Sequence, residues 1–190
     1  MLESLTGIIY QWDVNLLLNI NLGLENPVMD FLMSIITNLG IPIFWLMVCG
    51  MVFIFGGDRG RKVAILCLIA LSIGWFLTEF LKIVIDRPRP YEILDQVRVV
   101  TTEDGHSFPS GHSVAVFTAC TIFGLEYGYI YLFIGLAVIV ALSRLYLGVH
   151  YPLDVIFGAL FGILCALLVK HWEGPIMGNI LKLKRIWMHN

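Results

Sequence analysis

The stretch VAILCLIALSIGWFLTEFLKIVI, residues 63–85, decides what kind of protein this is. It exceeds the roughly 20 apolar residues a helix needs to cross about 30 Å of hydrocarbon. Its charged exceptions, Glu79 and Lys82, sit together near one end. The whole chain agrees: of 190 residues, 58% are hydrophobic and 14% charged, with a mean hydropathy of +0.85. A soluble domain carries about 25% charged residues. The chain is therefore read as an integral membrane protein built of helices, which satisfy their backbone groups without water.

Residues 110–127, 129–147 and 152–170 read as further crossings, and residues 27–55 as a fifth with length to spare. Gly40 and Pro42 inside that fifth run predict a kink or a change of direction. Residues 4–22 are broken by Gln11, Asp13, Asn15, Asn19 and Asn21, which favours a helix lying in the interface over a crossing. The expected fold is an all-α integral membrane bundle of five to six helices. It forms a single domain over residues 1–190, with residues 1–27 an amphipathic N-terminal segment. No cleavable leader is expected, because the first apolar stretch has no basic start. Cys49, Cys67, Cys120 and Cys165 lack paired spacing and read as small apolar residues, not as a disulfide framework or zinc site. A net charge of -2 gives no reason to invoke nucleic acid.

Orientation follows from the short connections. Arg59, Arg61 and Lys62 in GGDRGRK, and Lys182, Lys184 and Arg185 in the tail, belong on the cytoplasmic side by the positive-inside rule. An even number of crossings separates them, so the two assignments agree. The connections at residues 86–109 and 148–151 then share the extracytoplasmic face.

That face collects the polar chemistry. KIVIDRPRP (82–90) closes one helix, SFPSGHS (107–113) opens the next, and SRLYLGVHYPLD (143–154) joins two more. Arginine offers a planar fork of donors, lysine a point charge, and a helix N-terminus its free N–H groups, so the cluster is suited to an anion. Gly111 would let the backbone approach a phosphate, and Ser110 could be either N-cap or ligand. Taken singly, Lys82 or Arg87 would more often be an interface anchor. Glu79, one turn before Lys82, reads either as its neutralising partner or as a structural hydrogen-bonding group. The acids Asp86, Glu92, Asp95, Glu103 and Asp104 are scattered along a loop and form no metal site; they are read mainly as solubilising, with guidance of the head group as the alternative.

The spacing of these residues resembles the type 2 phosphatidic acid phosphatase superfamily. Lys82 with Arg89-Pro90, Pro109-Ser110-Gly111-His112, and Ser143-Arg144 with His150 and Asp154 match its three motifs in order. The resemblance implies a lipid phosphatase that needs neither metal nor cofactor and works through a phosphohistidine. In it His150 is the nucleophile, Asp154 holds the other ring nitrogen of His150, and His112 is the general acid and then base. Lys82, Arg89, Ser110, the Gly111 backbone and Arg144 are the implied phosphate ligands. Arg87 is no motif position and is left between a second-phosphate contact and an anchor. The implied location is the cell membrane, among membrane lipids, with the site on the extracytoplasmic face. The small prokaryotic members that recycle a polyprenyl carrier are the nearest likeness, which makes polyprenyl diphosphate the leading substrate. Phosphatidylglycerol phosphate and phosphatidic acid are alternatives. Transfer of the phosphoryl group to another acceptor and anion or lipid transport are the competing functions.

Overall fold

The computed structural model describes residues 2–188, with side chains for residues 6–180 and 182. The described elements are α1 (Leu2–Gly23), α2 (Pro27–Ile36), a 3₁₀ turn (Thr37–Gly40), α3 (Pro42–Phe55) and α4 (Gly57–Ile85). After them come the short α5 (Pro90–Ile93), α6 (Gly111–Tyr127), α7 (Ile130–Tyr146), α8 (Pro152–His171) and α9 (Glu173–Met188). Proline opens α2, α3, α5 and α8, where its missing N–H leaves no intrahelical bond unmade.

The segments Gly57–Ile93 and Pro152–His171 are each long and apolar enough to cross a membrane. Pro27–Gly40 and Pro42–Phe55 pass that test together, bent by 59° where Gly40 and Pro42 predict a kink. Helices α6 and α7 have 17 residues each, one and two residues shorter than the runs 110–127 and 129–147 read as crossings. Helix α6 sits at the centre of the bundle, packed on α4, α7 and α8. Every residue from Ser113 to Gly124 is buried, so it faces protein and can carry Ser113, Thr118 and Thr121. Small residues allow the approach: a Cβ on Gly162 would lie 2.6 Å from the Val114 carbonyl oxygen. Thr118 then donates to the Gly162 carbonyl at 3.2 Å.

Residues 56–62, expected as a connection, largely belong to α4 instead. The chain turns at Gly56 and Gly57, and a Cβ on Gly60 would run into the Val52 carbonyl, so only glycine lets α4 start this early beside α3. At this end the buried Glu126 pairs with Lys62 at 2.8 Å and with Lys170, while Glu173 takes Lys62 at 2.8 Å and Lys170 at 2.5 Å. These pairs tie α4, α6, α8 and α9 together at the end remote from the motifs.

Helix α1 is not among the helices apolar enough to cross. It buries Asp13, Leu17 and Asn21, one residue per turn along one stripe, against α7 and α8. Asn21 donates to the Tyr146 carbonyl at 2.7 Å and the Arg98 carbonyl at 2.9 Å, and accepts from the Arg98 N–H at 2.8 Å. Two of the polar residues that interrupt its apolar pattern are thus the ones that dock it across the motif-bearing end. The four cysteines are free and buried, as read.

Candidate active site

His150 lies between α7 and α8, with 1% of its surface exposed. The turn that delivers it has Gly148 at φ 79°, a conformation that favours glycine. Asp154 stands in the first turn of α8, where Pro152 places it, and its Oδ2 accepts the Tyr151 N–H at 2.9 Å. That oxygen is 3.7 Å from His150 Nδ1, too long for a hydrogen bond. Ser107 bridges the gap: its Oγ lies 2.5 Å from Asp154 Oδ2 and 3.4 Å from His150 Nδ1. Asp154 thus faces His150 Nδ1, as the motif implies, with the Ser107 hydroxyl lying between them. With the Ser107 hydroxyl donating to Asp154, His150 Nδ1–H points at Ser107 Oγ, which leaves the Nε2 lone pair on the side of Arg89 Nη1, 3.4 Å away.

On the Nε2 side the side chains converge on one carboxylate. Glu103 bonds Arg144 and lies 3.2 Å from Arg89, 3.8 Å from His112 Nδ1 and 3.8 Å from His150 Nε2. Burial raises the affinity of Glu103 for a proton, but the charges of Arg144, His112, His150 and Arg89 outweigh it and hold its carboxyl down at about 2. An ionised carboxylate thus occupies a slot walled by two guanidiniums and two imidazoles. His112 reaches the slot because Gly40 gives way; a Cβ there would lie 2.9 Å from the imidazole. His150 is pushed below its usual range by burial and by Arg144 and Arg89, against the pull of Asp154, so it is neutral near pH 7.

The other predicted ligands divide. Arg144 is 1% exposed and also bonds the Thr37 hydroxyl. Arg89 spends much of its fork on backbone, donating to the carbonyls of Gly105 at 2.9 Å, Asp104 at 3.0 Å and Val149 at 3.0 Å. It orders the loop around the slot as well as facing it. Lys82 stands 3.5 Å from Glu79, the neutralising partnership read from their spacing. Both line a cavity of about 280 Å³ with Arg89, Glu103, Gly111 and His112. Ser110 resolves as an N-cap and not as a lining residue: its Oγ is buried and takes the Ser113 N–H at 3.4 Å and the Ser113 hydroxyl at 3.1 Å. Of the two roles expected of Ser110, the N-cap is the one in place here, setting the α6 N-terminus.

Four contributors escape the sequence reading. Arg87, expected at a second phosphate or the interface, instead joins Asp154 at 2.5 Å and Asp13 at 2.6 Å. Asp13 arrives from α1, and no local pattern marks that contact. Ser107 lies three residues before Ser110, outside the motif. Glu103, read with the solubilising acids, is the residue in the slot; a carboxylate between Tyr91-bonded backbone and two arginines cannot be told from its neighbours by spacing.

A family model described as the PAP2 superfamily matches residues 61–177. The chain belongs to the PAP2 superfamily. It is 32% identical over 82% of its length to the Bacitracin transport permease protein BcrC of Bacillus licheniformis, covering 74% of that protein. It is 33% identical over 76% of its length to an Undecaprenyl-diphosphatase of Sulfolobus acidocaldarius, covering 72% of it. The crystal structure of a PAP2-type phosphatidylglycerolphosphate phosphatase from Bacillus subtilis superposes with a TM-score of 0.73 at 27% identity, covering 89% of this chain and 88% of that one. The protein is thus a membrane lipid phosphatase of PAP2 type, a hydrolase of phosphate esters.

If the lipid phosphate binds in this slot, Glu103 competes with it. Glu103→Gln is expected to lower KM for a lipid phosphate roughly tenfold, the factor set by how rarely the slot is free. Because the carboxyl is held down at about 2, the ratio of wild-type to variant KM stays flat between about pH 5 and pH 9. The ion pairs of Glu103 stabilise the loop fully above its ordinary pKa of 4.5 and are lost as pH falls through about 2. Initial rates against substrate concentration across that range check the first two statements; an unchanged KM would leave Glu103 a loop anchor only.

Proposed function

We propose that the protein removes the terminal phosphate of a polyprenyl diphosphate of the undecaprenyl type through a phosphohistidine on His150. The observation that carries this is the slot itself, an anion site with His150 Nε2 and His112 Nδ1 each 3.8 Å from the carboxylate of Glu103. In the first step His150 Nε2 attacks phosphorus, the N–P bond forms, and the bond to the leaving oxygen breaks as His112 gives it a proton. In the second step His112 takes a proton from water, the water oxygen attacks phosphorus, and the N–P bond breaks. Inorganic phosphate leaves and His150 returns neutral. Arg144, Arg89, Lys82 and the Gly111 N–H receive the charge that grows on the phosphoryl oxygens. Ser107 and Asp154 keep the Nδ1–H tautomer and steady the imidazolium character of the intermediate.

The lipid nature of the substrate is supported by the apolar extension of the cavity. A second groove of about 390 Å³ shares Pro42, Leu71 and Trp75 with the first and adds Leu46, Leu68, Ser72 and Phe76, between α3 and α4. A charged slot opening into such a groove suits a phosphate head on a long apolar tail. The undecaprenyl name of the Sulfolobus acidocaldarius relative favours the diphosphate, and the Bacillus subtilis structure keeps phosphatidylglycerol phosphate as the second reading. The extracytoplasmic placement in the cell membrane rests on Arg59, Arg61 and Lys62 lying at the opposite end of α4 from Lys82.

The test is a panel of polyprenyl diphosphate, phosphatidylglycerol phosphate, phosphatidic acid and lysophosphatidic acid, each with and without chelator and with an added alcohol acceptor. The diphosphate should give the highest kcat/KM, unchanged by chelator, with phosphate released to water. A higher kcat/KM for a monoester sinks the substrate assignment, loss of activity on chelation sinks the mechanism, and dominant transfer to the acceptor makes the protein a phosphotransferase.

A further inference from the structure

Asp13 and Asp154 are both fully buried, on helices far apart in sequence, and one guanidinium lies between them. Arg87 donates from Nη1 to Asp154 Oδ1 at 2.5 Å and from Nη2 to Asp13 Oδ2 at 2.6 Å. Its plane sits 3.8 Å from the centre of the Tyr151 ring. The remaining carboxylate oxygens are also engaged, Asp13 Oδ1 by the Leu153 N–H at 2.8 Å and Asp154 Oδ2 by Ser107 and the Tyr151 N–H. Docking α1 alone needs none of this, since Asn21 already ties it to Tyr146 and Arg98. A planar fork gripped at both prongs fixes direction in a way a point charge cannot.

Resting on the phosphohistidine reading above, we propose that Arg87 and Asp13 are positioning residues for the nucleophile. Asp13 on α1 holds the Arg87 fork, the fork holds Asp154, and Asp154 through Ser107 aims the His150 ring. The N-terminal helix is then part of the catalytic apparatus, although it lies outside the matched residues 61–177.

The arrangement has a charge signature. His150 faces Asp154 and Ser107 on its Nδ1 side, and Arg89, Arg144, Glu103 and His112 around Nε2. Arg87 stands behind Asp154 and weakens the field of that carboxylate at the ring; Asp13 in turn weakens Arg87. Removing the Arg87 charge therefore makes His150 easier to protonate, and removing the Asp13 charge makes it harder. The two changes push the same group in opposite directions.

The experiment uses the full chain in detergent micelles, with dioctanoyl phosphatidic acid as probe and thermal unfolding measured alongside. In Arg87→Gln and Asp13→Asn, kcat should fall roughly tenfold or more while KM stays within about twofold, because aim and not binding is lost. The acid limb of kcat/KM should move up by about half a pH unit in Arg87→Gln and down by a similar amount in Asp13→Asn. Arg87→Lys keeps the charge without the fork, so its kcat falls and its limb stays. Ionisation of the substrate is common to all variants, so each limb is fitted with the separately measured substrate pKa held fixed. Limbs that do not move, with activity lost only in proportion to folded protein, overturn the proposal and leave an anchor for α1. Phosphate release surviving in His150→Ala would overturn the phosphohistidine reading itself, a separate outcome from unmoved limbs in an enzyme that His150→Ala inactivates.

Discussion

Replacing His150 with alanine should cut phosphate release by about 10⁴-fold or more, because the change removes the proposed nucleophile. His112→Asn should behave differently. With p-nitrophenyl phosphate, whose leaving phenolate needs no proton, the first step survives and the second stalls for lack of a base. The variant then releases one burst of nitrophenolate per site and holds phosphate on the protein as an acid-labile, base-stable adduct. Wild type shows a smaller steady level of the adduct, and His150→Ala shows none. The difference rests on geometry: both imidazoles border the slot, yet His150 alone has its Nδ1 side engaged by Ser107, with Asp154 behind it. Rapid quenching followed by mass analysis of the His150 peptide decides the matter. An adduct on another residue, or bursts of equal size in both variants, would dismiss the assignment of roles.

Much of this site was legible because its chemistry is local in sequence. Lys82, His112 and Asp154 sit at fixed offsets from helix ends, and helix ends are readable from proline, serine caps and the limits of apolar runs. The kink at Gly40 and Pro42 was legible for the same reason. What escaped reading depends on distance in sequence. Asp13 meets Leu153 and Arg87 only because α1 folds back over the ends of α7 and α8, and nothing in residues 4–22 announces a partner so remote. Glu103 is one acid among several in a loop, and its place was decided by Arg89 ordering the carbonyls of Asp104 and Gly105 beside it. Ser110 reads two ways because a hydroxyl that caps a helix and one that binds phosphate share the same motif position. The crossing read over 129–147 outruns α7 by Tyr129 and Leu147, apolar residues that flank the helix at either end. Buried surroundings also relieve α6 of the need for a fully apolar surface.

Arg144→Lys should lower kcat by roughly 10²- to 10³-fold, the cost of losing a preorganised donor set at a developing charge. Lysine keeps the charge but presents it as a point on a flexible stem, without the planar fork that sets the Thr37 hydroxyl and a phosphoryl oxygen at fixed angles. Arg144 is also the strongest partner of Glu103, so the two residues should be energetically linked. In the Arg144→Lys background Glu103 is less firmly seated, and the roughly tenfold KM gain of Glu103→Gln should shrink towards none. A double-mutant cycle in KM therefore separates two accounts of the carboxylate. If Glu103 occupies the phosphate slot, the two changes are strongly non-additive, because each removes one half of the same competition. If Glu103 only steadies its loop, the KM effects add. The same cycle in kcat should be close to additive under either account, since Glu103 must have left the slot before the phosphorus is attacked. Additivity in KM would thus return Glu103 to the solubilising acids with which its sequence groups it. Non-additivity in KM alone would establish that the resting site holds its own carboxylate where the lipid phosphate binds.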